Sequence, residues 1–588
     1  MLLKEPDGHP PGAERDDAGF DVTTELEIAH ERPPMTDEAH AHAGGLAYLG
    51  AEAAEEGVAA DEVVAQLADR THEVYSLVRD SETYEVTVTS DHGLEEYERI
   101  THPDDWTVLR EEAARLQGTR WTFINPTMEG GGVAMLRPPA VHLMRQLGVD
   151  ARWFVMEPIK DESMGKPFKF TKFMHNISQR VAGEDERITE EGKALHWHWA
   201  DTENGPVLEA QEHIRDTDVF VIDDPQPAPL IERLKRANPD ARFIWRNHID
   251  TNQELMSDPT SPQGEVASYL LDECGVREVD AVVAHPVKAF THPGMEDKTY
   301  FAPATVDPFD NLNRHLSEEE VVEGMQFING EIARKNAGLE AAGRYEDIQP
   351  VLNMDPDARR LTLIARFDPS KGMDVAMEMG VQTRRMLREQ GVPEEELPEV
   401  VIVGNGSKDD PDGPMMFEEM LRLRREHYPD EADGITVMRL KHNYDAMNAL
   451  MWRSTIVMQT SYAEGLENRI GDAERHGKPV VISDRGGMKT QVVDGESGMI
   501  LDYSKQDYDV PRGARFMADL LTDPEAYARM AASTSRVAEE LIAREFTTTA
   551  NVTRLLRVAG RVRAGQPADK VWKMSELAAG RNAARLAA

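Results

Sequence analysis

The chain has 588 residues, of which 40% are hydrophobic and 29% charged, with a formal net charge of -42 and an isoelectric point near 4.8. That length can bury several cores, and a field of that sign repels nucleic acid and anionic membranes. One cysteine, Cys274, excludes internal disulfides and a cysteine-rich zinc site, and no uncharged run approaches the roughly 18 residues that cross a bilayer.

Acid is spread along the whole chain and arginine far outnumbers lysine, a pattern suited to a surface hydrated in concentrated salt. We therefore expect a cytoplasmic, halophilic protein whose N-terminus carries no signal-peptide pattern. Residues 1–42 are rich in Asp, Glu and Pro and read as a disordered acidic tail, with His40 and His42 solvated. Residues 43–117 read as a helical N-terminal extension with one short strand, YEVTVTS.

From Arg120 onward strands and helices alternate, the signature of a doubly wound parallel sheet. RWTFINPT, ARWFVME, DVFVIDDPQP, ARFIWRNHID, DAVVAHPV and TYFAPATVDPF supply one series of strands, in a domain over 118–330. RRLTLIARFDPSKG, EVVIVGNGS, GITVMRL, STIVMQTSY and KPVVISDRGG supply a second, in a domain over 355–545. The predicted fold class is α/β: two Rossmann-like doubly wound domains facing across a cleft, since ligands sit at the carboxyl ends of parallel strands. A linker is expected near 305–355, and 546–588 reads as a C-terminal helix and frayed tail.

The motifs cluster at strand exits. Gly130, Gly131 and Gly132 follow the first Rossmann strand and open a helix, where a backbone can approach an anion closely; a plain tight turn explains them equally well. Neither a dinucleotide fingerprint nor a P-loop is present. In ARFDPSKG, Arg366 and Lys371 leave a strand together, and a diphosphate would fit both; the plain alternative is an ion pair with Asp368. Glu464 ends another strand and Asp472 lies about two turns along the following helix, a spacing suited to gripping hydroxyl groups on different parts of one ligand. Arg246, His248 and Asp250 alternate at strand spacing toward the same cleft, although a buried, satisfied His248 is the simpler alternative. His196 and His198 in HWHWA read as one face of a strand, without the further ligands that zinc needs.

Taken together, LEEYERI, NPTMEGGGVAML, GVDARWFVME, FTKFMHNISQ, DPQPAPLIE, WRNHID, ARFDPSKG, GKPVVI and QVVDGESGMIL resemble retaining glycosyltransferase family 4, of GT-B fold, and within it the glycosyltransferring trehalose synthases. The resemblance covers roughly Glu95 to Phe546. It implies glucose transfer from a nucleoside diphosphoglucose to glucose, with Arg366, Lys371 and Glu464 as catalytic residues. Gly131, Gly132, His248, Gly465, Leu466 and Asp472 would bind the donor, and His175, Arg246 and Asp250 the acceptor. No metal or cofactor is implied, and the expected partners are small sugars and nucleotide sugars, with a homodimer left open. The segment EGLENRIGDAERHG departs from the family pattern: Asp472 stands where a second Glu that holds the nucleotide ribose is usual, and Glu467, Asn468 and Arg469 replace small or apolar residues. A trehalose phosphorylase, a related enzyme with another acceptor, and a non-catalytic sugar- or nucleotide-binding protein remain as alternatives.

Overall fold

The computed structural model describes residues 74–128, 132–157, 165–405, 412–441 and 443–587. The expected tail over 1–42, most of the helical stretch that follows it, and Gly130 and Gly131 lie outside the described residues.

Two sheets organise the chain. The first contains β1 (Ser76–Arg79), β2 (Glu85–Thr89), β3 (Arg120–Asn125), β4 (Asp150–Val155), β5 (Val219–Asp223), β6 (Arg242–Arg246), β7 (Ala281–Ala284) and β8 (Thr299–Phe301), in the order β1-β2-β4-β3-β5-β6-β7-β8. Strands β3 to β8 are parallel, whereas the β1–β2 hairpin joins the β4 edge antiparallel. The second sheet contains β9 (Arg360–Ile364), β10 (Glu399–Asn405), β11 (Ile435–Leu440), β12 (Ile456–Gln459), β13 (Val480–Ser483) and β14 (Gly498–Leu501), all parallel, in the order β11-β10-β9-β12-β13-β14. The near-continuous apolar runs VFVID and RLTLI follow from burial on both faces of a parallel sheet.

Helices used below are α1 (Pro103–Arg115), α2 (Arg137–Gln146), α3 (Gly165–Ser178), α4 (Glu318–Ala341), α5 (Met373–Glu389), α6 (Tyr444–Arg453), α7 (Asn468–Arg475), α8 (Thr548–Arg563) and α9 (Met574–Ala587). Three expected boundaries change. Residues 74–117 are not an appendage, because β1 and β2 complete the first sheet and Trp106 and Leu109 of α1 enter its core. Position 330 falls inside α4, whose Met325, Ile328 and Ile332 pack with Met447, Leu450 and Met451 of α6, so α4 belongs to the second lobe. The C-terminal residues are no frayed tail: Val552, Leu555 and Leu556 of α8 return to the first-lobe core, and α9 packs on α1. The two crossings between lobes run side by side, with Val306 N–H donating to the Phe546 carbonyl at 2.9 Å.

HWHWA is helical rather than a strand, spanning the end of the helix Glu190–Trp197 and a π-helical segment His198–Asn204. His196 is fully buried, with its ring nitrogens 2.8 Å from the Tyr269 hydroxyl and the Gln226 carbonyl, so it is a satisfied core residue. Two strands were not anticipated: β1 lies in a stretch read as helical, and for β14 Gly498 and the preceding charged turn hide a four-residue edge strand.

The returning α8 makes a direct test. Leu555 is fully buried in the first-lobe core, so Leu555→Ala is expected to destabilise the protein by about 2–5 kcal/mol, read by denaturant unfolding. An unchanged midpoint would contradict the docking of α8.

Candidate active site

In each sheet the strand order reverses beside one strand: β3 lies between β4 and β5, and β9 between β10 and β12. Crevices form outside the carboxyl ends at such points. The chain uses both, opening a cleft of about 250 Å³ lined by the exits of β3 and β5 in one lobe and β9 and β12 in the other.

On the second lobe the exit of β9 turns sharply. Asp368 caps the short helical turn Pro369–Lys371, accepting the Ser370 N–H at 2.9 Å and its hydroxyl at 2.8 Å. Gly372 then takes φ +57°, and a Cβ there would stand 2.0 Å from the Thr460 carbonyl oxygen, so only glycine lets this turn lie against the β12 exit. The Lys371 ammonium consequently reaches Glu464, with which it pairs, and Glu467 Oε2 at 2.6 Å. Lys371 is only 8% exposed, and although burial opposes its charge, the two carboxylates hold its pKa above the usual lysine value. Glu464 moves upward to about 7: burial dominates, Glu467 adds to it, and Lys371 opposes. Arg366 also lines the cleft, its guanidinium 4.0 Å from Asp368.

The β12 exit is pinned to the first lobe. Glu464 N–H donates to Asp250 Oδ2 at 3.2 Å, and a Cβ on Gly465 would lie 2.0 Å from the His248 carbonyl oxygen and 2.9 Å from the His285 ring. Gly465 is thus a point of close backbone approach, while the neighbouring Leu466 lines the cleft.

On the first lobe, His248 faces the cleft, its Nε2 3.3 Å from Asp223 Oδ1. Burial, aided by Arg246, lowers its pKa to about 4. Asp223 is itself held by two bonds from buried Arg137, at 2.8 and 2.5 Å. His175 on α3 lines the cleft and is kept neutral by burial and by Lys172 and Arg366, its pKa falling to about 3. Gly132 also lines it.

Three expected site residues stand elsewhere. Arg246 is 1% exposed and directs its guanidinium to Asn551 of α8 at 2.9 Å and the Pro303 carbonyl at 3.2 Å, so it ties the C-terminal helix to the first sheet rather than facing an acceptor. Asp250 is 2% exposed and serves the Glu464 backbone and Arg180. Asp472 is absent from the cleft lining, 1% exposed and 2.5 Å from Arg469, and lines a small cavity beside Asp307 and Asp310 that shares Met135, Asn468 and Arg469 with the cleft wall. Burial raises its pKa to about 7 against the pull of Arg469.

The cleft also contains residues that the motif reading left unassigned: Lys172, Asp224 and Gln226, with Glu467, Asn468 and Arg469 recognised only as departures. Lys172 sits inside the quoted FTKFMHNISQ segment, but the same helix also carries Lys166 and Lys169, so nothing in the sequence singles it out. Among the described residues no group of three or more His, Cys, Asp or Glu side chains could hold a metal, and none of the helices is long and apolar enough to cross a membrane.

Comparison with known proteins gives this geometry its family. The trehalose synthase N-terminal domain matches residues 123–292, and the group 1 glycosyl transferases match 358–523. The chain is 31% identical over 450 residues to a trehalose phosphorylase of Pleurotus pulmonarius, covering 74% of this chain and 57% of that one. It is 31% identical over 421 residues to a trehalose synthase of Thermococcus litoralis, covering 71% of this chain and 87% of that one. To a trehalose synthase of Pyrococcus horikoshii it is 28% identical over 466 residues, covering 79% and 95%. The chain belongs to the glycosyltransferase family that contains the trehalose synthases and trehalose phosphorylases. It spans a little over half the length of the fungal phosphorylases.

Gly465 offers the sharpest structural test of the cleft. In Gly465→Ala the new methyl collides with the backbone at His248, so the loop carrying Glu464 must retreat. Turnover is expected to fall at least tenfold, with a lowered thermal unfolding midpoint because the obstacle is backbone; full activity would show that this approach does not position the site.

Proposed function

We propose that the protein is a retaining hexosyltransferase that moves glucose from a nucleoside diphosphoglucose to glucose, forming trehalose. The observation that supports this best is the meeting of Lys371 from the β9 exit with Glu464 from the β12 exit, beside Arg366, in one cleft. Arg366 and Lys371 suit the phosphate of a leaving group, and charge stabilisation of that kind supplies much of a transfer barrier. Glu464 suits the hydroxyls of the glucosyl group. Glu464 and Glu467 hold the same ammonium, so they do not flank a scissile bond as the acid pair of a glycosidase does.

In this reading the donor bond between glucose C1 and the phosphate oxygen breaks while the acceptor hydroxyl oxygen bonds to C1 on the same face. The departing phosphate takes the acceptor proton, so the products are an α-linked disaccharide and a nucleoside diphosphate. No protein nucleophile, metal or cofactor is required. His248 would face the donor glucose and His175 the acceptor; both are held neutral, so each can exchange a hydrogen bond with a hydroxyl. We place the reaction in a cytoplasm of high salt on composition, and leave a homodimer open.

One observation favours a second reading, trehalose phosphorylase. Asp472 does not present its carboxylate to the cleft but to Arg469, so the group expected to hold a ribose is turned away. A phosphorylase has no ribose to hold.

The test is product analysis in molar potassium chloride. We expect UDP-glucose and glucose to release UDP and form trehalose, and Lys371→Ala to lower turnover by about two to three orders of magnitude. Trehalose and phosphate yielding glucose 1-phosphate, with no nucleotide dependence, would establish the second reading. Near-wild-type turnover in Lys371→Ala would overturn the site assignment in either case.

A further inference from the structure

We propose that Lys172 is a positioning residue that couples contact between the lobes to the placement of Arg366. The inference rests on the reading that Arg366 meets the phosphate of the ligand. Helix α3 belongs to the first lobe, where Phe168, Phe170, Met174 and Ile177 anchor it in the core. From its cleft side Lys172, 6% exposed, crosses to the second lobe and pairs with Asp368, 2% exposed. Burying two charges is tolerated only when each finds its partner, so the pair forms only with α3 and the β9 exit in register.

Asp368 is the hub of the anion loop. Its Oδ1 accepts from the Ser370 N–H and hydroxyl and so shapes the turn that presents Lys371, while its Oδ2 takes Lys172. Arg366 is the next cation, 4.0 Å from that same Oδ2. With Lys172 in place Asp368 is already neutralised, and its carboxyl stays well below the usual range even though burial opposes this, because Lys172 and then Arg366 hold it ionised. Remove the Lys172 charge and a buried carboxylate draws the nearest remaining cation: Arg366 closes onto Asp368 and turns from the cleft. Lys172 therefore acts through Arg366.

A second cross-lobe contact provides the control. One turn along α3, Asn176 donates to Asp412 Oδ2 at 3.1 Å, away from the anion loop. A general role in holding the lobes together would make both contacts matter equally; positioning of Arg366 singles out Lys172.

The experiment compares Lys172→Met, Arg366→Ala, the double variant, Lys172→Arg and Asp412→Ala in whichever direction the wild-type enzyme runs, with UDP-glucose and glucose or with trehalose and phosphate. Thermal unfolding is read for each. We expect Lys172→Met to lower kcat at least tenfold with a smaller change in the KM of the uncharged sugar, and the double variant to be no worse than Arg366→Ala. Lys172→Arg should recover most of the turnover, and Asp412→Ala should stay within about twofold of wild type. If Lys172→Met does not fold, Lys172→Gln, which keeps a hydrogen bond to Asp368 without the charge, is read in its place. Wild-type turnover in the Lys172 variant, multiplicative losses in the double variant, or equal damage from Asp412→Ala would each overturn the inference. Wild-type turnover in Arg366→Ala would instead sink the anion reading on which it rests.

Discussion

The structure turns on a buried ammonium. Lys371 is tolerable in the cleft wall only because Glu464 and Glu467 reach it together, and removing one member of such a group leaves an uncompensated charge in a poorly solvating site. That requirement forces the β9 exit and the β12 exit into contact. It explains the left-handed Gly372, which lets the turn lie on Thr460, and Gly465, which lets the next turn lie on the backbone at His248. The second sheet supplies both carboxyl ends; the lysine and its two acids decide how those two exits sit against each other.

The first lobe repeats this economy with different residues. Arg137 satisfies Asp223, Asp223 orients His248, and Arg246 spends its guanidinium on α8. The C-terminal helix is thereby part of the platform beneath the cleft although it follows both sheets in sequence. Asp224, held at φ +64° just after β5, lines the same cleft, and burial with Asp223 beside it pushes its carboxyl up to about 7. A non-glycine residue in that conformation directly at a strand exit fits a site where geometry outweighs local backbone preference.

What was legible in the sequence follows from the range of each signal. Apolar runs and glycine stops revealed most strands, and strand-exit residues such as Lys371 and Glu464 were placed together because a parallel sheet sends its carboxyl ends to one side. Arg246, His248 and Asp250 show the limit: β6 ends at Arg246, so the alternation used to align all three no longer applies beyond it, and Asn551, the partner of Arg246, is distant in sequence. Asp472 fails for a similar reason, since the first turn of α7, Asn468 and Arg469, forms the wall between the cleft and the small cavity, and Asp472 one turn on reaches only the cavity. Lys172 was invisible because its meaning depends on a carboxylate in the other lobe.

The central claim is that an anionic glucosyl donor binds against Lys371 and Glu464. Burial raises the Glu464 carboxyl to about 7, so a bound anion placed beside it raises its pKa further, and the complex is expected to hold more protons than the free protein just above neutral pH. Titration calorimetry of UDP-glucose, and of glucose 1-phosphate in parallel, in buffers of different ionisation enthalpy measures this directly. The account predicts uptake of a fraction of a proton at pH 7.5 that is clearly reduced in Glu464→Gln, any remainder belonging to Asp224 across the cleft. Binding with no proton linkage, or with linkage unchanged in Glu464→Gln, would contradict it.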